Sequence, residues 1–450
     1  MRVVVCGAGL VGSSIANYLS ENGHEVSVID TNPEVVNNLN IYHDIRAIVG
    51  HSCHPDVLEQ AGMSKADAIV AVTVSDEINM LTCHEAYSLF STPLKIARVR
   101  SQSYLDPKYS ELFAPGGIFV DHIISPEAEV AKAFFDHIRI TGVEKIISFC
   151  DNLLKVISFN IGEGARIMSV DINDYIVTDH YKILGIQRGT QYIFGENIKN
   201  VELGDKLFIA VVASYAEDVC YLSGIDNNIE NIVIIGGGNI GYTIAKMVED
   251  SPIKRNLQVI ELSEKRAHHL ASHLEKTVVI NGSAIDRSIL NEVEIDNADV
   301  LLSVTNDDKV NILAALLAKQ RGVPNVIALI NEIDTYADLA INLGIDHIVN
   351  PRAITINNII KNFSLEKVSA LHEELEIKSE IIEIEVMEDS KIIGQNVFDI
   401  DKIDYLEIGA IYRNGEVLIP DHKDIIMAYD KIVVMLKSSH YNDVVNMFRK

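Results

Sequence analysis

The sequence predicts an α/β protein: two doubly wound parallel-sheet units, each followed by a small α+β domain, arranged as an internal duplication. Two observations carry this. Val3 to Asp30 and Ile232 to Glu261 can be laid over one another, and in each copy short apolar runs alternate with helical stretches. At 450 residues the chain is also too long for one ordinary core, since domains usually run to about 100–200 residues.

The glycines set the register. Gly7, Gly9 and Gly12 match Gly236, Gly238 and Gly241 at one constant offset of 229. The offset becomes 231 at Asp30 and Glu261, then 232 at Gly50 and Gly282, at Thr73 and Thr305, and at Asn79 and Asn311. Such drift means short loop insertions. It falls to 225 at Asp121 and Asp346, His122 and His347, and Pro126 and Pro351, so the second copy has lost a few residues after its fifth strand.

The first copy reads VVVCG, a helix through Ile15 to Leu19, EVSVID, a helix, IRAIVG, a helix and ADAIVAVT; the second repeats this with NIVIIGGG, LQVIEL, KTVVING and ADVLLSVT. That order implies a parallel sheet. The runs are continuously apolar, as expected of strands covered by helices on both faces. A further strand, Asp121 to Ser125 or Asp346 to Asn350, leads into a helix beginning near Pro126 or Pro351, where proline suits the first turn. This helix reads as a lever. Beyond it, Val143 to Leu222 and Leu375 to Met447 change to short Ile and Val strands with Gly and Asp turns, such as RNGEVLIP and ELGDKLFIAV, which predicts the two small domains. The polar SGIDNNIE at Ser223 to Glu230 is the expected linker between halves. The expected domains are 1–124, 143–226, 230–350 and 368–450.

Apolar residues make up 48% and charged residues 23%, the balance of a chain that buries real cores. Lys and Arg number 38 against 64 Asp and Glu, and the net charge of -26 disfavours nucleic acid and anionic lipid as partners. Cys6, Cys53, Cys83, Cys150 and Cys220 are scattered without a C-x-x-C pair and are expected to be reduced thiols. His51, Cys53 and His54 lack a second ligand cluster and read as loop residues rather than a zinc site. The start, MRVVVCGAG, runs straight into a strand, so no signal peptide is expected. Apolar runs are too short to span a membrane, and a cytoplasmic location is expected.

Gly7, Gly9 and Gly12 follow an apolar strand and open a helix, the context of the Rossmann dinucleotide fingerprint. The first permits a tight turn, the second lets backbone approach phosphates, and the third lets helix and strand pack. Phosphates would sit at the helix N-terminus. Asp30 and Glu261 end the next strand, where a carboxylate accepts from ribose hydroxyls and repels a 2′-phosphate, so NAD or an adenine mononucleotide such as ATP or ADP is favoured over NADP. Thr73, Val74, Thr305 and Asn306 follow the fourth strand, and Gly50 and His51 end the third, all on the ligand-binding edge. Arg98 has Leu329 as its counterpart, so the first site is expected to hold the more highly charged ligand.

A hydride-transfer enzyme needs a base and an anion-binding arginine facing the nicotinamide. Val143 to Leu222 offers His180, Arg166 and Arg188, each read as a solvated surface residue. The competing readings are an NAD-dependent oxidoreductase and a regulator whose conformational equilibrium shifts on nucleotide binding; the second fits better, and no catalytic residue or enzyme activity is expected.

VVVCGAGLVG with Asp30, ARVRSQSYL with Arg98, HIISPEAEVA at His122 to Ala131, and IVIIGGGNIGYTIAK together resemble the duplicated RCK, or KTN, family of regulatory subunits of potassium uptake systems, along essentially the whole chain. The resemblance implies a cytosolic homo-oligomer, dimer or tetramer, peripherally associated with the inner face of the membrane. It implies docking on a TrkH-type potassium-translocating subunit and gating of potassium entry in response to NAD(H) or ATP/ADP. A sensor acting on a different ion transporter is the alternative within that class. Carried over by position, Gly7, Ala8, Gly9, Leu10, Val11, Asp30, Thr73, Val74 and Arg98 bind the first nucleotide; Gly236, Gly237, Gly238, Asn239, Ile240 and Gly241 with Glu261 bind the second. His51 stands where relatives usually carry an acid, and Ser283 follows Gly282 in the second copy, which departs from the pattern at the adenine end. Ser125-Pro126-Glu127 becomes Asn350-Pro351-Arg352, so any contact made by Glu127 is absent from the second half and the halves are expected to pair asymmetrically.

Overall fold

The computed structural model describes residues 1–42, 45–114, 116–140, 143–168, 177–223, 229–360, 379–401, 403–421 and 423–449. Most of the expected linker, 224–228, and the start of the second small domain, 368–378, lie outside the described residues.

The first six strands are β1 (Arg2–Cys6), β2 (Glu25–Asp30), β3 (Arg46–Val49), β4 (Ala68–Ala71), β5 (Leu94–Arg98) and β6 (His122–Ile124). They pair in parallel in the order β3-β2-β1-β4-β5-β6. Helices α1 (Leu10–Glu21), α2 (Pro33–Tyr42), α3 (Pro55–Gln60), α4 (Asp76–Phe90) and α5 (Gln102–Leu105) connect them, and α6 (Pro126–Arg139) follows β6. Every residue of β4 is buried, because helices on both faces exclude water from the central strands. The order reverses between β1 and β4, and the chain leaves these two strands in opposite directions, opening a crevice at their carboxyl ends. Proline begins α6, where its missing amide hydrogen costs no helical bond.

Next comes a five-stranded antiparallel sheet of β7 (Lys145–Phe149), β8 (Leu154–Asn160), β9 (Tyr181–Arg188), β10 (Gln191–Phe194) and β11 (Lys206–Val212), in the order β10-β9-β11-β8-β7.

The second copy then repeats the first. Strands β12 (Asn231–Ile235), β13 (Asn256–Glu261), β14 (Val278–Asn281), β15 (Val300–Ser303), β16 (Asn325–Leu329) and β17 (His347–Val349) pair in parallel as β14-β13-β12-β15-β16-β17. Their helices are α7 (Asn239–Asp250), α8 (Glu264–His273), α9 (Arg287–Glu292), α10 (Asp308–Gln320), α11 (Ile333–Asn342) and α12 (Pro351–Ile360). The last sheet, of β18 (Ser379–Glu385), β19 (Leu406–Arg413), β20 (Glu416–Leu418) and β21 (Lys431–Lys437), runs β18-β21-β19-β20, with short α13 (Val397–Asp401) and terminal α14 (Tyr441–Arg449). Asn414 and Gly415, both at positive φ, make the two-residue turn between β19 and β20.

The chain divides into two compact units: Met1–Phe134 with Asn231–Asn362, and Phe135–Glu230 with Phe363–Lys450. In the first unit α1 of one copy packs against α12 of the other. In the second unit the two small sheets share a core, in which Phe149, Leu184 and Phe208 meet Ile381, Val433 and Met435.

The duplication extends into the small domains. Arg188 grips Asp205 with two nitrogens at 2.8 and 2.7 Å, and Arg413 grips Asp430 likewise, both at 2.7 Å. Arg188 stays partly solvated, its side chain 32% exposed, and its partner is brought beside it by the pairing of β9 with β11. His180 stacks on Tyr215 with ring centroids 3.7 Å apart. Lys182, wholly buried, pairs with Asp401 at 2.6 Å and Glu407 at 2.7 Å. Lys182 and Glu407 occupy equivalent positions of the two small sheets, at the same offset of 225. No helix among the described residues is long and apolar enough to cross a membrane.

Candidate nucleotide sites

The two glycine turns are superimposable in their local chemistry. Gly7 and Gly236 both hold φ at +100°, which side-chain-bearing residues rarely adopt. A Cβ on Gly12 would lie 1.8 Å from the Gly7 carbonyl oxygen, and one on Gly241 1.9 Å from that of Gly236. Only glycine lets the helix start that close to the strand it leaves. Around Gly9 and Gly238, by contrast, a Cβ would meet nothing within 4 Å, so the crest of each turn faces open space. Neither α1 nor α7 carries a side-chain N-cap. In α1 the first helical amide bond is Ser13 to Gly9, which leaves the amides of Leu10, Val11 and Gly12 without helical acceptors, at the positive end of the dipole.

The acids behind these turns do structural work as well. Asp30 accepts from the Ala8 amide at 2.6 Å and from Asn32 at 2.8 Å. Glu261 accepts from Gly237 and Ser263, both at 2.7 Å. Each carboxylate therefore pins its own glycine turn while remaining on the pocket wall.

A second matched device fixes the loop after the fourth strand. Buried Asn79 accepts from the Thr73 amide at 2.8 Å and hydroxyl at 2.7 Å, and donates to the Arg98 carbonyl at 2.9 Å. Asn311 does the same for Thr305 at 2.9 and 2.7 Å, and for the Leu329 carbonyl at 2.9 Å. These asparagines stand out in the sequence only as aligned positions; their work depends on the first turn of a helix meeting the ends of two neighbouring strands.

Arg98 distinguishes the first site. It is 7% exposed, and its Nη2 donates to the Thr73 carbonyl at 3.1 Å, while its Nε is buried with no acceptor. Burial, with some help from Arg100, pulls its pKa below the ordinary guanidinium value, a pull that Glu127 and Asp76 offset in part. A buried, incompletely bonded guanidinium on a pocket wall is an anion-receiving group.

The first cavity, of about 800 Å³, is lined by Gly7, Gly9, Leu10, Val11, Gly12, Asp30, Gly50, His51, Thr73, Val74 and Arg98, a size suited to a nucleotide. Ala8 is buried behind the turn and contributes its amide to Asp30. The second cavity, of about 840 Å³, is lined by Gly236, Gly238, Asn239, Ile240, Glu261, Thr305 and Asn306. Gly237 and Gly241 are buried beneath it. Leu329, the counterpart of Arg98, lies on the wall of the first cavity rather than the second. Sequence reasoning missed Arg100 on the first wall and Arg266 on the second, where the Arg266 Nε donates to the Gly237 carbonyl at 2.7 Å. It also missed that the first cavity is walled partly by the second half, through Arg352 and Thr355 of α12.

With this geometry in place, the relatives are informative. The TrkA-N domain model matches residues 3–126 and 232–351, the two parallel-sheet copies, and the TrkA-C domain model matches 381–449. The Trk system potassium uptake protein TrkA of Azorhizobium caulinodans is 34% identical over 455 aligned positions, covering 100% of this chain and 99% of that protein. The protein of the same name from Vibrio alginolyticus is 32% identical, with the same coverage of both chains. Among solved structures, the GsuK channel bound to NAD shares the fold at a TM-score of 0.62 and 19% identity, over 98% of this chain and 77% of that one. Duplicated glycine turns, matched acids and full-length similarity converge: the chain belongs to the TrkA family of Trk system potassium uptake proteins.

Proposed function

We propose that this chain is a nucleotide-binding regulatory subunit that gates potassium uptake, acting as a peripheral homo-oligomer on a TrkH-type membrane subunit. The observation that carries the nucleotide part is the buried Arg98 guanidinium, with a free Nε, on the wall of the cavity that the glycine turn also lines. On this reading the domains 1–124 and 230–350 bind nucleotide and the domains 143–226 and 368–450 couple it to assembly.

In the first site, the amides of Leu10, Val11 and Gly12 and the Arg98 side chain would hold phosphates, and Asp30 would accept from ribose hydroxyls. Thr73 and Val74 close the wall beside them. In the second, the turn from Gly236 to Gly241 and Glu261 play the same parts without an arginine at the Arg98 position. NAD(H) and ATP/ADP are the ligands this donor set fits, and the NAD-bound state of a fold neighbour supports the dinucleotide. Ligand binding gates only if it contacts two conformations differently. Pro126, Glu127 and Val130 at the start of α6 line the first cavity, so a shift there would be passed along the helix that continues into the first small domain.

Arg98→Leu, which writes the second copy's residue into the first, tests the assignment. Nucleotide affinity at the first site is expected to fall by about tenfold or more, the worth of a charge-assisted bond. Potassium flux through the reconstituted membrane subunit is expected to lose its nucleotide dependence. Flux that keeps its full nucleotide dependence despite that loss of affinity would refute gating through the first site.

A further inference from the structure

The two halves exchange a charged residue at equivalent positions, and the charges are opposite. Glu127 and Arg352 are both the second residue of the helix that follows the last strand of their sheets. Arg352 lines the first cavity, beside the glycine turn of the other half. Its Nε donates to the Ser14 hydroxyl at 3.1 Å, and its Nη2 donates to the same oxygen. Ser14 in turn donates to the Leu10 carbonyl at 2.9 Å, so Arg352 is held within the first turns of α1, next to the uncapped amides. No carboxylate pairs with Arg352 among the described residues. Glu127 reaches the wall of the second cavity, and its Oε2 is buried with no partner.

The outcome is a difference in electrostatics between two pockets of one ancestry. On the first wall, Arg98, Arg100 and Arg352 face Asp30 and Glu127. On the second, Arg266 alone faces Glu127, Glu261 and Asp307. Terminal phosphates add negative charge that a bridging pyrophosphate lacks, and arginine forks match phosphate oxygens in pairs.

We propose that Arg352, supplied by the second half, is a phosphate-binding residue of the first pocket and makes that pocket selective for nucleoside di- and triphosphates over monophosphates. The inference rests on the nucleotide reading above and deepens it: occupancy of the first pocket is sensed directly by α12 of the other half. Ser14 keeps its bond to the Leu10 carbonyl when Arg352 leaves it, so exchanging this partner for a phosphate strands no polar group on α1.

The test is calorimetric titration of the full chain with ATP, ADP and AMP, in a Glu261→Ala background that weakens the second site. Arg352→Gln is expected to lower ATP affinity by about tenfold or more and to leave AMP within about twofold, which also reports an intact pocket. Arg352→Lys, which keeps the charge but loses the fork, is expected to lie between. Equal weakening of ATP and AMP, or unchanged ATP affinity, would overturn the role of Arg352 while leaving the nucleotide reading standing. A parent chain that binds none of the three overturns both.

Discussion

The carboxylate of Asp30 accepts a hydrogen bond from the Ala8 amide at 2.6 Å, so the acid that ends β2 fixes the turn that ends β1. Asp30→Ala removes this anchor together with the ribose acceptor. Affinity at the first site is expected to fall by about 1.5–3 kcal/mol per charge-assisted bond lost. Calorimetry decides: unchanged affinity would remove Asp30 from the site.

Gly12→Ala is expected to be worse than an ordinary helix substitution, although alanine favours helices. Its Cβ would sit 1.8 Å from the Gly7 oxygen, and relief requires α1 to move off β1. Overpacking of this kind costs about 1–3 kcal/mol. A thermal melt showing a stability equal to the parent would contradict the close approach.

The expected turns, sheets and acids were legible because they rest on local patterns: apolar runs, glycine spacing and the acid at each second strand's end. Asn79 and Asn311 can be aligned but not interpreted, since their hydrogen bonds join a helix to the ends of two strands. Arg352 was read only as a departure from Glu127. Its partner Ser14 is 338 residues away, a proximity created by α12 packing on α1. The ion-pair partner of Arg188 is hidden for the same reason, because the β9–β11 pairing that delivers Asp205 lies beyond periodicity.

Lys182 and Glu407 carry opposite charges at equivalent positions and meet at 2.7 Å. Lys182→Glu leaves buried carboxylates facing one another and is expected to cost about 3–5 kcal/mol. The charge swap Lys182→Glu with Glu407→Lys is expected to regain more than half of that in chemical denaturation. Losses that merely add would show that the pair is not coupled.

Glu249 gives the fold a dependence on acid. Burial alone would raise its pKa, but the amides of Lys276 and Glu275 and the Thr277 hydroxyl, with Lys246, outweigh this and hold it below the usual carboxylate range. A depressed folded-state pKa contributes stability that is complete above the unfolded value of about 4.3 and is lost as pH falls through the lower folded value. Glu249→Gln is expected to lose about 1–3 kcal/mol at neutral pH and to flatten the fall in stability below about pH 4.3. A variant whose acid unfolding curve keeps the parent's slope would contradict this.

Both halves are expected to bind nucleotide. Isothermal titration of the purified chain with NADH, NAD, ATP and ADP, reading the stoichiometry of each, decides this. Binding is expected at up to two sites per chain, with ATP or ADP favouring the first. Absence of binding by all four would mean that the glycine turns only pack helix against strand and that nucleotide plays no part in regulation.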